Sequence, residues 1–284
     1  MKVPIIVLNY NSSADCRECI ADLKRQEGVE LEIVIVDNCS PREGERDAIK
    51  QLCIDEVCTF IQAFENRGYN AGNNIGLRYA ADKGYKYALI ANPDMRFPQK
   101  DYVARMVDVM EEKPEVAVCG SNIIDVNGTR QNPRCFTPYW NELLWFISGW
   151  KRKVKQRDPL ILYPHNQYCD ILIGSCIFIR LGFVKNIGYF DENVFLYCEE
   201  PILGKQVASA GMKMYYLNDA VATHYHIPSK KESFIKRHDI YWKSRWYYLT
   251  HYAGYNNLQL ILMWISKKFH YSYKRFSFVI KGEK

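Results

Sequence analysis

No apolar run in the sequence approaches the roughly 18 residues that a membrane-spanning helix needs. The opening stretch, MKVPIIVLNYN, turns polar too early to serve as an export leader. The cysteines (16, 19, 39, 53, 58, 119, 135, 169, 176 and 198) are scattered, several of them inside apolar runs. Reduced cytosolic thiols are therefore expected, not a disulfide scaffold. Cys16-x-x-Cys19 lacks the second pair that a zinc site would need. The first β–α turn carries no glycine, which disfavours a nicotinamide-dinucleotide fold. No nucleic-acid recognition module is legible. With 48% hydrophobic and 25% charged residues, a disordered chain is excluded.

The 284 residues suffice for one large domain or two small ones. Charge and aromatics are unevenly spread. Residues 230–284 carry 12 Lys/Arg against 3 Asp/Glu and 14 of the 40 aromatics, whereas the first 229 residues carry 26 against 29. The net positive charge belongs to the tail, which points to an anionic partner there. Its stretches KRHDIYWKSRWYYL and LILMWISKKFHYSYKRFSF read as basic amphipathic helices suited to an anionic membrane surface. A dimer interface or a helix packed on the core are the alternatives.

The first 122 residues alternate between β and α patterns. Strands are expected at Val3–Leu8, Leu31–Val36, Thr59–Ala63, Tyr87–Ala91 and Val116–Gly120. Helices are expected from Ser12 or Ser13 to about Glu27, from Pro41 to about Cys53, through Ala81 after a turn-rich Glu65–Gly76 segment, and over Lys100–Glu112. Such alternation predicts a mainly parallel sheet covered by helices. A hairpin with its turn at Asn127-Gly128 follows, then an irregular, Trp-rich, basic insert over 136–167. Regular structure resumes at Ile171–Arg180, with a helix from the Phe195–Glu200 region to Ala210, closed by Gly211. Lys213–Leu217 and Ala220–His224 are expected as final strands, and a helical tail broken near Gly254 ends the chain.

In an open α/β sheet ligands bind past the carboxyl ends of the strands, and here those ends are polar. The first gives Asn9-Tyr10-Asn11, the second Asp37-Asn38, the fourth Asn92-Pro93-Asp94. The third leads into Asn66-Arg67-Gly68-Tyr69-Asn70-Ala71-Gly72-Asn73-Asn74-Ile75-Gly76. Asp37 can accept from a base N–H or a ribose hydroxyl. The glycine-rich run allows close backbone approach, and its helix start favours anionic groups. Asp94 can hold a hard cation that in turn holds phosphates. Asn-Pro-Asp equally suits a plain type I turn, so the tripeptide alone leaves both readings open.

Taken together, N-Y-N at 9–11, V-D-N-C-S at 36–40, the run 66–76, N-P-D at 92–94, G-S-C at 174–176, G-Y-F-D-E at 188–192, F-L-Y-C-E-E at 195–200 and His224 resemble a family 2 inverting glycosyltransferase of the GT-A fold. The resemblance is to the bacterial, rhamnosyltransferase-like branch of surface-polysaccharide assembly. It implies a GT-A domain over 1–229, with a nucleotide-binding half 1–122 and an acceptor half 123–229, followed by the helical tail 230–284. It implies that Asp37 and the Asn9–Asn11 edge hold the nucleotide, while Asn66, Gly68, Asn73 and Asn92 line the donor pocket. Asp94 would be a metal ligand for Mn2+ or Mg2+, with His224 as a further ligand and His226 as its substitute. Glu200 would be the catalytic base, with Glu199 in reserve. The expected partners are a UDP- or dTDP-sugar donor, a glycan or lipid-linked glycan acceptor, the inner face of the cell membrane and a second copy of the chain, but no nucleic acid. The expected location is cytoplasmic and peripheral to the membrane.

Two departures from the family pattern stand out. N-P-D keeps only the last carboxylate of the Asp-x-Asp metal motif, and Glu199-Glu200 is followed by Pro201-Ile202-Leu203-Gly204 where Asp-Leu and a basic residue are usual. These departures are what a catalytically silent relative, a binding or scaffold protein of an assembly complex, would rest on. Joint retention of Asp94, Glu200 and His224 argues against it.

Overall fold

The structure, a computed structural model, describes residues 1–145, 164–225 and 234–280. Most of the expected basic insert, and His226, lie outside the described residues. The strands are β1 (Lys2–Asn9), β2 (Glu30–Asp37), β3 (Thr59–Gln62), β4 (Tyr87–Ala91), β5 (Met95–Arg96), β6 (Val116–Asp125), β7 (Gln167–Cys169), β8 (Cys176–Arg180) and β9 (Lys213–His224). The helices are α1 (Ser13–Leu23), α2 (Glu45–Asp55), α3 (Tyr69–Asp82), α4 (Tyr102–Glu112), α5 (Tyr139–Leu143), α6 (Leu181–Asn186), α7 (Glu199–Ser209), α8 (Phe234–His251) and α9 (Asn257–Ile280).

One mixed sheet runs β3-β2-β1-β4-β8-β6-β9-β5, with β7 pairing to β9. β1 to β4 are mutually parallel, β8 is antiparallel to both β4 and β6, and β9 is parallel to β6. The apolar runs IIVL, IVIV and ALIA are buried on both faces because helices cover both sides. α1, α2 and α4 pack with β1, β2 and β6 in one apolar cluster, and α3, α6 and α7 form another on the opposite face.

The alternation is as the pattern predicts, apart from the short strands β5 and β7, which no pattern announced, and four further differences. α3 begins at Tyr69, so most of the glycine-rich run is helix, not turn. β6 runs on to Asp125, five residues beyond Gly120. β9 is one strand; a register shift opposite Ser121/Asn122 takes up residues 218–220, which produced the expectation of two strands. α1 ends at Leu23 and α2 begins at Glu45, each later or shorter than its pattern. The Asn127-Gly128 turn is present, and Gly128 N–H donates to the Asp125 carbonyl.

The tail folds back as a helical hairpin. Gly254 adopts φ +73° at the break, and Asn256 with Gln259 forms a reciprocal capping box at the start of α9. Tyr248, Leu249 and Met263 pack with Val194, Cys198 and Ile202 in a third apolar cluster. Glu142 of α5 sits between Arg245 of α8 and Lys267 of α9, all three largely buried.

Candidate active site

All the polar strand ends collect at one sheet edge, because β1 to β4, β6 and β9 point the same way and antiparallel β8 starts there. Asn9 and Asp37 are 0% exposed. Asn9 Nδ2 donates to Asp37 Oδ1 at 2.8 Å, and Asn9 Oδ1 accepts from the Ser12 amide and hydroxyl. Asp37 also accepts from Ser40 Oγ at 2.6 Å, the Ser40 amide at 3.2 Å and Gln62 Nε2 at 2.8 Å. Burial pushes the Asp37 carboxyl up, but the bonds from Ser40, Gln62 and Asn9 outweigh it and hold the carboxyl below its usual range. Four donors occupy its two oxygens, so the pair braces the edge from inside. Tyr10 is exposed at the rim, and Asn11 (φ +58°) is tied by its amide to Ser40 Oγ.

The glycines of the 66–76 run are used against the protein itself. A Cβ on Gly72 would stand 2.6 Å from Leu8 Cδ1, and one on Gly76 2.5 Å from Ile6 Cγ2. α3 therefore lies directly on β1. Gly68, at φ +102°, faces the Phe195 carbonyl oxygen, which would be 2.2 Å from a Cβ, and the Tyr69 amide donates to that oxygen at 2.8 Å. Asn66 Oδ1 accepts from the Gly68 amide and from Asn38 Nδ2. Asn73 is fully buried; its Nδ2 donates to the Tyr69 carbonyl, while its Oδ1 makes no hydrogen bond among the described residues. Asn70 and Asn74 fasten the 188–192 loop: they donate to the Asp191 and Phe190 carbonyls, and Asn74 Oδ1 accepts from the Phe190 amide.

β5 pairs with the end of β9, setting Met95 opposite His224, and the Tyr225 amide donates to the Asp94 carbonyl at 2.8 Å. His224 Nε2 thereby comes within 3.3 Å of Asp94 Oδ1. His224 Nδ1 lies 2.8 Å from Gln131 Oε1, which can only accept, so Nδ1 carries the hydrogen. His224 Nε2 then faces a carboxylate oxygen. An imidazole nitrogen and a carboxylate oxygen brought together in this way, with the far ring nitrogen held by a partner, are the ligand types of a divalent cation of the N/O-liganded kind. Among the described residues no three His, Cys, Asp or Glu side chains cluster as a metal cage, so further ligands would be phosphate oxygens or water. Cys16 and Cys19 are fully buried, and burial pushes both thiols up.

The glutamates stand on the same edge. The Asn92 amide donates to the Ser175 carbonyl at 2.8 Å, and Tyr69 Oη donates to the Gly174 carbonyl at 2.6 Å. Glu199 Cγ is 3.7 Å from where a Cβ on Gly174 would be, and Tyr69, Gly174, Glu199, Glu200 and Gln206 line one narrow cavity. Tyr197 and Cys198, just before α7, both take left-handed backbone (φ +71° and +65°). Each costs about 1–2 kcal/mol for a non-glycine residue, and burial of Cys198 under α8, with Ser244 Oγ donating to the Leu196 carbonyl, holds them there. Burial, then the neighbouring Glu200 carboxylate, pushes Glu199 up to about 8. Glu199 Oε2 has no hydrogen-bond partner among the described residues.

Residues 5–172 match the family model described as glycosyl transferase family 2. The chain belongs to that family. Relatives of this family 2 glycosyltransferase include the low-salt glycan biosynthesis hexosyltransferase Agl10 of Haloferax volcanii, 28% identical over 198 residues, which are 69% of this chain and 58% of that one. A second is the N-acetylglucosaminyl-diphospho-decaprenol L-rhamnosyltransferase of Mycobacterium tuberculosis, 23% identical over 78% of this chain and 76% of its own. The chain spans little more than half the length of the first of these. The mannosyltransferase PcManGT from Pyrobaculum calidifontis, solved with GDP-Man and Mn2+, superposes with a TM-score of 0.60 at 17% identity, covering 93% of this chain and 68% of its own. That likeness establishes the GT-A fold.

Sequence reasoning missed Gln131, Gln62 and the Asn70/Asn74 fasteners. A glutamine one turn past a hairpin carries no signal of its own. Only the β6–β9 pairing, which sets Asp125 against His224, brings Gln131 to the imidazole. The asparagines lay inside a quoted motif, and their i, i+4 spacing on a helix was the available clue.

Proposed function

We propose that this family 2 enzyme transfers a sugar, with inversion, from a UDP- or dTDP-linked donor to a hydroxyl of a glycan acceptor carried on a lipid, in surface-polysaccharide assembly of the capsule or O-antigen type. The observation that carries the reading is the meeting of Asp94 and His224 at 3.3 Å on the edge that also presents Glu199 and Glu200. The printed functions of the relatives, rhamnosyl and hexosyl transfer, support the class.

In this reading Tyr10 and Asn11 border the nucleotide, while Asn9 and Asp37 shape that edge from beneath. Asn66, Gly68, Asn73 and Asn92 form the wall of the donor pocket. The halves 1–122 and 123–229 divide donor from acceptor binding. Asp94 Oδ1 and His224 Nε2 would hold Mn2+ or Mg2+, with Gln131 keeping the ring in the tautomer that offers Nε2. A divalent cation there would supply neutralisation of the charge on a departing diphosphate; the GDP-Man and Mn2+ bound together in PcManGT support this choice.

Burial and the neighbouring Glu200 carboxylate raise Glu199; in this reading Glu200 is the base, with Glu199 in reserve. Glu200 takes the proton of the acceptor hydroxyl as its oxygen attacks the anomeric carbon. One displacement inverts that carbon, and no protein nucleophile is used.

The test is donor turnover by the purified chain over UDP-, dTDP- and GDP-sugars, with Mn2+, with Mg2+ and with EDTA, beside Asp94→Ala and Glu200→Gln. Turnover of one donor, lost with EDTA and in Asp94→Ala, is the expected result. Glu200→Gln should bind donor normally and lose transfer by about 100-fold or more. Unchanged transfer by a folded Glu200→Gln enzyme removes Glu200 from the base role. Failure of every donor to bind gives the chain to the catalytically silent reading.

A further inference from the structure

α9 turns charge inward and apolar side chains outward. Lys267 is 8% exposed and paired to Glu142 at 3.1 Å, and Met263 beside it is fully buried. On the opposite face Leu258, Ile261, Leu262, Ile265 and Phe269 are 66%, 56%, 40%, 42% and 69% exposed. Steps of three and four residues place these five in a single stripe along the helix. Trp264 and Tyr273 flank the stripe, and Lys268 Nζ stands 5.2 Å over the Trp264 ring. A row of five large apolar side chains facing water marks an interaction surface.

Charge selects the occupant. The tail holds 12 Lys/Arg against 3 Asp/Glu, while the rest of the chain is slightly acidic. A two-fold pairing of this face with itself would bring two strongly basic tails together. A layer of anionic headgroups over an apolar interior matches both the charge and the stripe. No helix among the described residues is long and apolar enough to cross a membrane, and α9, 24 residues or about 36 Å long, suits a helix lying in the interfacial plane.

We propose that the outward face of α9 docks on an anionic phospholipid bilayer. Ile261, Ile265 and Phe269 enter the acyl boundary, Trp264 and Tyr273 sit at headgroup level, and Lys268 meets the phosphates. α8 links this face to the glutamates. Tyr247 and Tyr252 donate to Asp191 Oδ2 at 2.9 and 2.6 Å, and Ser244 donates to Leu196, so the loop before Glu199 is held on the docked hairpin. The proposal deepens the lipid-linked acceptor part of the reading above and rests on that reading for its purpose.

The test is co-sedimentation of the full chain with phosphatidylcholine vesicles, with and without phosphatidylglycerol, beside the triple variant Ile261→Ser, Ile265→Ser, Phe269→Ser. Phosphatidylglycerol should strengthen binding by about fivefold for each basic residue that reaches the surface, and added salt should weaken it. The triple variant should lose about 100-fold in partition, with melting temperature and donor turnover unchanged because the three side chains are exposed. Absence of parent binding, or equal binding by parent and variant, overturns the proposal. So does a parent dimer in sedimentation velocity that becomes a monomer in the variant without vesicle binding, which assigns the face to a second copy. Donor turnover without vesicle binding sinks this inference alone, and vesicle binding by a chain that binds none of the donors sinks the transferase reading alone.

Discussion

Glu142 is one buried anion between two buried cations. Arg245 Nε donates to its Oε1 at 2.8 Å, the Arg245 terminal amine donates to its Oε2, and Lys267 Nζ stands 3.1 Å from Oε1. Side-chain exposures are 4%, 12% and 10% for Glu142, Arg245 and Lys267. At about 3 Å and an effective dielectric near 20, each contact contributes about 5 kcal/mol of attraction before desolvation. Most of that offsets the cost of removing three charges from water. Deleting the anion alone leaves two cations facing each other, and breaking such a buried cluster costs about 3–5 kcal/mol. Glu142→Gln should therefore lower the melting temperature by about 10 °C and free the α8–α9 hairpin, exposing it to limited proteolysis. Replacing all three by apolar residues of similar volume should recover most of the loss.

The sign with pH follows from the shift. Burial pushes Glu142 up, but Arg245 outweighs it and holds the carboxyl below its usual value of 4.5. Its stabilisation is thus present above that value and lost as pH falls through the depressed one. Parent and Glu142→Gln should converge in stability at strongly acid pH. Urea unfolding at neutral and acid pH is the assay. A Glu142→Gln protein within about 1 kcal/mol of the parent at neutral pH would refute the argument that this triad anchors the tail.

Gly68→Ala places a methyl 2.2 Å from the Phe195 carbonyl oxygen at φ +102°; it should displace the loop before Glu199 and lose transfer by about 100-fold while far-UV circular dichroism stays native. Glu199 has a folded pKa raised from 4.5 to about 8, so its contribution to stability is full below about 4.5 and is lost as pH rises through 8. Glu199→Gln should consequently raise the melting temperature more at pH 8 than at pH 5, and an equal effect at both would contradict the buried, charge-crowded site. Gln131→Leu removes the partner of His224 Nδ1; the Mn2+ needed for half-maximal turnover should rise about 10- to 100-fold, with turnover at saturating Mn2+ retained. Loss of turnover that added Mn2+ fails to restore would assign Gln131 a different role.

Much of the fold was legible because parallel strands buried on both faces are continuous apolar runs, and IIVL, IVIV and ALIA are that. The strand-end residues Asn9, Asp37 and Asp94 were legible for the same reason, since a buried run must end where the chain turns polar. The roles within the edge were less so. Asp37 is an acidic residue at the polar sheet edge, yet four protein donors surround it. Gly72 and Gly76 belong to a motif that permits close approach, yet the approaching group is β1. A motif records that backbone or carboxylate is needed at a position; it does not record which neighbour arrives there.

By itself the sequence determined the alternation of strands and helices, the family, the polar edge and the placing of positive charge in the tail, since all of these depend on residue order over short spans. Only the tertiary structure decided that β9 runs unbroken to set His224 beside Asp94, that Gln131 meets the far nitrogen of the imidazole, that the tail clamps the loop before Glu199, and that α9 faces outward with its apolar side. Each of these joins residues about 50 to 130 positions apart, and pairings over such distances are set by sheet register and packing, which no local pattern encodes.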